Sequence, residues 1–195
     1  LRTATRKRGR PVGADSAETR SRILAAARHV MNKRGYQAAT FQAIAMEAGL
    51  TRPSVHHYFA SREQIYNTLA AEGRAVFLTE CIAAVQERDT FGAQLSALVA
   101  ALWEVAQRDR SRIAFLVTAR MEGARNPELD VWGGVGISRL LAEMVRDAIV
   151  RRELPADTAV DAIAAMLQAL IWGLSFYAGF IDTAADMAPM HALLD

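Results

Sequence analysis

Residues 40–59, TFQAIAMEAGLTRPSVHHYF, predict two short helices joined by a tight turn. The first helix is indicated by apolar residues at helical spacing, namely Phe41, Ile44, Ala45 and Ala48. We expect Gly49 to end it, because glycine readily adopts the positive φ found just beyond helix ends. Thr51 is a suitable N-cap for the second helix. Pro53 is tolerated in a first turn, where its missing N–H has no intrahelical partner to lose.

The second of these helices has two different sides. Val55 and Phe59 lie one turn apart and are expected to anchor it to the core. The side chains left facing outward are mostly donors and rings: Arg52, Ser54, His56 and His57. A short helix that is apolar at its back and polar at its front suits the major groove of DNA. The stretch therefore predicts a helix-turn-helix element.

Charge is distributed unevenly along the chain. Residues 1–70 carry 12 Lys and Arg against 4 Asp and Glu, a net charge of +8, whereas residues 71–195 carry 11 against 17, a net charge of −6. A basic N-terminal part followed by an acidic remainder predicts a polyanionic partner for the N-terminal part only. Abundant Ala, Leu and Arg favour an all-α fold. Cys81 is the only cysteine, so no intrachain disulfide is possible, as is typical of cytoplasmic proteins.

The helix-turn-helix stretch resembles the N-terminal DNA-binding domain of the TetR family of transcriptional regulators. The resemblance covers about 50 residues and rests on Thr40, Ile44-Ala45, Ala48-Gly49-Leu50-Thr51, Val55, Tyr58-Phe59 and Ser61-Arg62-Glu63. His56 stands where the family usually has Tyr, and Arg62 where it usually has a phosphate-binding Lys. We expect a disordered basic arm (1–16), a helix-turn-helix domain (17–62), and a helical effector-binding and dimerisation domain (63–195).

On this interpretation the second helix reads bases and its surroundings hold phosphates. The residues expected to face bases are Arg52, Pro53, Ser54 and His56, with Arg52 favoured for a bidentate contact to guanine. The residues expected to hold phosphates are Thr40, Thr51, His57, Tyr58 and Arg62. In the arm, Arg8-Gly9-Arg10-Pro11 resembles an AT-hook, which predicts Arg8 and Arg10 in an A·T minor groove. Contact of the arm with phosphates, without sequence preference, is the alternative.

The last predicted helix, 158–181 with Asp157 as N-cap, carries no charge over residues 162–181. We expect a helix buried all round rather than a membrane span, because Gln168 and Ser175 interrupt it and its flanks are acidic. Its inner side is expected to carry Val160, Ile163, Leu167, Leu170, Ile171 and Leu174. Ala162, Ala165, Ala169 and Gly173 form a small-residue face. That face predicts a homodimer in which helices 137–152 and 158–181 of two chains form a four-helix bundle.

The resemblance further implies a ligand cavity in the C-terminal domain. The candidate effector-binding residues are Trp103, Phe115, Met121, Trp132 and Phe176, for each of which ordinary core packing is the alternative. The implied function is that of a homodimeric repressor that binds a palindromic operator and is released by a small hydrophobic effector. An effector-independent architectural DNA-binding protein is the alternative. The sequence lacks HExxH, G-x-S-x-G, P-loop and Cys/His-cluster motifs, so we expect no enzyme activity, cofactor or metal.

Overall fold

The computed structural model describes residues 12–129 and 136–181. These residues form helices joined by turns and loops, and there is no strand among them. The described helices are α1 (Val12–Arg34), α2 (Phe41–Ala48), α3 (Arg52–Tyr58), α4 (Arg62–Gln86), α5 (Phe91–Arg108), α6 (Arg110–Arg125), α7 (Gly136–Val150) and α8 (Val160–Phe176). A 3₁₀ turn follows α6 at Pro127–Leu129, and a π-helical turn follows α8 at Tyr177–Ile181. The predicted all-α class is confirmed. Arg8, Arg10 and Trp132 lie outside the described residues.

The chain divides into two compact units, Leu1–Ile65 and Tyr66–Asp195. The division falls inside α4, just after the domain boundary expected between residues 62 and 63. Helix α1 begins at Val12, within residues 1–16, for which the sequence predicts a disordered arm. The stretch 12–16, VGADS, has no apolar periodicity, so nothing in its pattern indicates that the helix extends into it.

The helix-turn-helix is built by the caps that its sequence predicts. Gly49 has φ +63° and ends α2, and its N–H bonds back to the helix. The Thr40 hydroxyl accepts a hydrogen bond from the Ala43 N–H at 3.1 Å, and the Thr51 hydroxyl accepts one from the Ser54 N–H at 3.3 Å. These bonds fix where α2 and α3 begin and therefore which residues each helix presents outward.

The core of the first unit lies behind α3. Val55 is 0% exposed and Phe59 is 1% exposed, so both anchors predicted for α3 are buried. They belong with buried side chains of α1 and α2: Ile23, Ala27, Val30, Met31, Ile44, Ala45 and Ala48. Because its apolar side is buried, α3 is left with one accessible side.

The second unit packs α4–α8 around apolar clusters. One cluster joins α4, α5, α7 and α8 through Cys81, Val85, Leu98, Leu141, Ala142, Met144 and Ala164. Burial raises the pKa of the Cys81 thiol to about 12, with a smaller contribution from Glu80. At that pKa the thiol stays protonated, which fits its role as a small apolar filler.

A single chain does not bury α8 on all sides. Val160–Ile181 is a segment long and apolar enough to cross a membrane, and 28% of its most apolar window is buried. Leu170, expected on the inner side, is 57% exposed. It lies on one accessible stripe, here called the α8 face: Ala162, Ala165, Met166, Ala169, Leu170, Gly173 and Phe176.

The expected cap of this last helix is wrong. The residue at the N-cap position of α8 is Ala159, which makes no side-chain cap bond, so Asp157 does not cap it. The chain instead turns first, with the Thr158 N–H donating to the Pro155 carbonyl at 3.1 Å. Asp157 therefore lies two residues before the N-cap position of α8.

Candidate nucleic-acid interface

The accessible side of α3 carries the side chains expected to meet DNA. Arg52, Pro53, His56 and His57 are exposed. Arg52 occupies the first helical position, and within the described part of the chain its guanidinium makes no hydrogen bond or ion pair. Its full donor set is therefore available, as a bidentate contact to guanine requires.

The hydroxyl of Ser54 already takes part in a hydrogen bond, which the sequence does not indicate. Its hydroxyl lies 2.8 Å from that of Thr51, so the two hydroxyls share a hydrogen bond at the start of the helix. Either oxygen keeps further hydrogen-bonding capacity. A base or phosphate contact there would therefore be made from hydroxyls that are already hydrogen-bonded to each other.

The two histidines have different surroundings. The ring of His56 packs nearly perpendicular to that of Phe41 on α2, with centroids 4.1 Å apart and an interplanar angle of 85°. The ring of His57 instead meets its sequence neighbour Tyr58, with centroids 5.2 Å apart. His56 is thus held by a different helix, whereas His57 is held locally.

Arg62, expected to hold a phosphate, is engaged within the first unit. Its guanidinium lies 4.2 Å from the centroid of the Tyr36 ring and donates to the Gln37 carbonyl at 3.2 Å. The Tyr36 hydroxyl donates to Glu63 at 2.8 Å. Burial, followed by this hydrogen bond, raises the pKa of Tyr36, and hydrogen bonds from its own backbone N–H and from Tyr36 lower the pKa of Glu63.

A groove between α1 and α2 brings basic side chains to Thr40. It encloses about 360 Å³ and is lined by His29, Val30, Lys33, Arg34, Thr40, Gln42, Ala43, Met46 and Glu47. The sequence pattern did not assign Lys33, Arg34 or Gln42 to DNA. The sequence does show Lys33-Arg34 as a basic pair at the end of α1. Only the packing of α1 against α2 places this pair beside Thr40.

The candidate effector-binding residues have unlike environments. Phe115 is 1% exposed and packs against Tyr66, whose hydroxyl donates to the Ala119 carbonyl at 2.9 Å. Trp103 is half-buried. Met121 is 50% exposed, and Phe176, 44% exposed, stacks on Phe180 with centroids 5.4 Å apart. Two of the five are thus accessible at the surface of a single chain.

A capped helix-turn-helix with a polar, partly cationic outer side is typical of DNA-binding proteins. Residues 23–69 match the family described as bacterial regulatory proteins, tetR family. The chain is 30% identical over 169 residues to the HTH-type transcriptional repressor BepR of Brucella suis biovar 1 (strain 1330), covering 82% of this chain and 80% of that protein. The chain belongs to the TetR family and is a DNA-binding transcriptional regulator.

Further relatives agree with this assignment. The HTH-type transcriptional regulator UidR of Escherichia coli (strain K12) is 23% identical over 164 residues, covering 82% of this chain and 81% of that protein. The structure of the fatty acid degradation regulator FadR from Bacillus halodurans superposes with a TM-score of 0.72 at 19% identity, covering 96% of each chain. This last likeness concerns the fold alone.

Proposed function

We propose that this regulator binds an inverted-repeat operator as a homodimer, with α3 of each protomer in a major groove. The observation that carries the proposal is the two-sided character of α3. Arg52 is exposed without a protein partner in the described residues, while Val55 and Phe59 are buried against the core. On this proposal the residues facing bases are Arg52, Pro53, Ser54 and His56.

Residues in and next to α3 and at the start of α2 contact the phosphate backbone of the operator. The phosphate-contacting residues are Thr40, Thr51, His57, Tyr58 and Arg62, with Arg8 and Arg10 entering the adjacent minor groove. Lys33 and Arg34 add positive charge in the groove that Thr40 lines. Arg62 contributes charge from a fixed position, because Tyr36 and Gln37 already orient its guanidinium.

The partner protomer covers the α8 face. Small residues on that face let a second helix approach closely, and nothing lies within 4 Å of a Cβ built on Gly173. Larger apolar side chains beside them, Met166 at 53% and Leu170 at 57% exposure, would be removed from water by the same contact. Helix α7 completes the four-helix bundle, and its accessible side carries the Arg139–Glu143 ion pair as part of a polar rim.

The second unit binds a small hydrophobic effector that releases the operator, so the protein acts as a repressor. Family membership supports this role. The effector must bind the DNA-free protein better than the DNA-bound protein. Its binding raises the free energy of unfolding of the DNA-free protein by about 2.7 kcal/mol at a concentration 100 times Kd. A thermal-shift screen followed by displacement of labelled operator tests this; a ligand that stabilises the protein without displacing DNA would contradict it.

The base-reading role is tested by Arg52→Ala, with Arg88→Ala, an exposed arginine of the second unit, as the matched control. Loss of a bidentate guanine contact should remove about 1–3 kcal/mol of discrimination between operator and random duplex. Affinity for random duplex should change little, and Arg88→Ala should behave as wild type in both assays. An equal loss of affinity for both DNAs would show that Arg52 contacts the backbone instead.

A further inference from the structure

Phe41 is the aromatic residue of α2, and it does not belong to the buried core. Ile44, Ala45 and Ala48 of the same helix are buried, whereas Phe41 at its first position is half-buried. Its ring packs against the imidazole of His56 on α3, with centroids 4.1 Å apart. A large aromatic side chain is thus placed beside the DNA-facing side of the helix-turn-helix and contacts a residue proposed to face bases.

This contact restricts the orientation of an otherwise exposed imidazole. The near-perpendicular arrangement of the two rings is one that aromatic pairs favour, because the edge of one ring meets the face of the other. With one side of the imidazole against Phe41, fewer orientations remain for its two nitrogens. These nitrogens differ as donor and acceptor in the neutral ring, so a fixed orientation presents a defined pattern to a base edge.

The neighbouring histidine shows what the contact adds. His57 is also exposed, but its ring contacts that of Tyr58 on the same helix, with the two ring centroids 5.2 Å apart. It has no ring contact with a second helix in the described residues. The orientation of His57 therefore depends on α3 alone, whereas that of His56 is set jointly by α2 and α3.

We propose that Phe41 is a positioning residue for DNA recognition: it orders the His56 imidazole before binding, so that His56 discriminates at one base-pair position of each half-site. The inference rests on the proposed function, in which α3 lies in the major groove. Ordering in the free protein means that less rotational freedom is lost on binding, and less of the contact energy is spent on it. Phe41 itself needs no contact with a base.

The test measures affinities of the full chain for an operator and for each single base-pair substitution within one half-site. The variants are Phe41→Leu, His56→Ala, their combination and Phe41→Tyr, with Arg88→Ala, an exposed arginine of the second unit, as control. Phe41→Leu should reduce discrimination about two- to tenfold, the value of an aromatic pair, at the same position that His56→Ala affects. Phe41→Tyr keeps the ring and should retain the preference, as should Arg88→Ala.

The combined variant separates positioning from packing. It should discriminate no worse than His56→Ala alone, because Phe41 acts through His56. Additive losses, an unchanged preference in Phe41→Leu, or equal weakening on every DNA sequence would each overturn the inference. If Phe41→Leu fails to fold, loss of the preference in the folded Phe41→Tyr variant would overturn it as well.

Failure of this inference is distinguishable from failure of the proposed function. If His56→Ala leaves every position unchanged while Arg52→Ala still relaxes the preference, the positioning role is wrong and base reading by α3 stands. If the wild-type protein prefers no operator at all, both are wrong.

Discussion

Shortening Leu170 to alanine should weaken the homodimer by up to about a hundredfold. Removing the three outer carbons forfeits about 2.4 kcal/mol when burial is complete, at about 0.8 kcal/mol per carbon. Because 57% of Leu170 is still exposed in the single chain, about 1.4 kcal/mol of this applies to each protomer on dimerisation. Two-fold symmetry doubles the effect to nearly 3 kcal/mol, which is about two powers of ten in the dimer Kd.

Sedimentation equilibrium over a range of concentrations measures this Kd directly. Met46→Ala is the matched control, since Met46 is 72% exposed on α2, in the other unit, and its loss should leave the Kd unchanged. Thermal melts at high protein concentration check that both variants fold. Equal dimer Kd values for Leu170→Ala and wild type would refute the assignment of the α8 face to the dimer.

Three further substitutions test the two units separately by thermal or denaturant unfolding. Gly179→Ala should destabilise the second unit by about 1–3 kcal/mol, because its Cβ would lie 3.0 Å from backbone atoms of Ala114; unchanged stability would mean that this contact is loose. Tyr66→Phe should cost about 0.5–1.5 kcal/mol, because it removes the buried hydrogen bond from the Tyr66 hydroxyl to the Ala119 carbonyl; a neutral result would show that this bond does not contribute. Glu63 has a pKa below 4.5, so it stabilises the fold above that pH and the contribution is lost as pH falls through its lowered pKa. Glu63→Gln should therefore flatten the fall of Tm on acidification below pH 4.5, whereas a parallel fall would show that Glu63 does not contribute.

The helix-turn-helix could be predicted from local sequence because its determinants are local. Gly49, Thr40 and Thr51 act on residues within one turn of themselves, so cap preference alone gives the ends of α2 and α3. The burial of Val55 and Phe59 follows from helical spacing in the same way.

The exposed side of α8 and the contacts between helices cannot be predicted from sequence periodicity, because they depend on how the helices pack. A helix that is apolar on all sides has no contrast from which its orientation can be inferred, which is why Leu170 was expected inside. The contact of Phe41 with His56 joins two helices, and Phe41 at helical spacing is indistinguishable from a core residue. Lys33 and Thr40 likewise line one groove only because α1 and α2 pack together.

The most direct test of base reading by a dimer is selection of binding sites by the full chain from random duplex DNA. The account predicts an enriched inverted repeat whose half-sites are centred about one helical turn apart, roughly 34–36 Å, or a multiple of it. It also predicts that Arg52→Ala loses information at one position of each half-site while keeping the repeat. Salt-sensitive binding to every duplex without an enriched motif would contradict the account and favour an architectural DNA-binding protein.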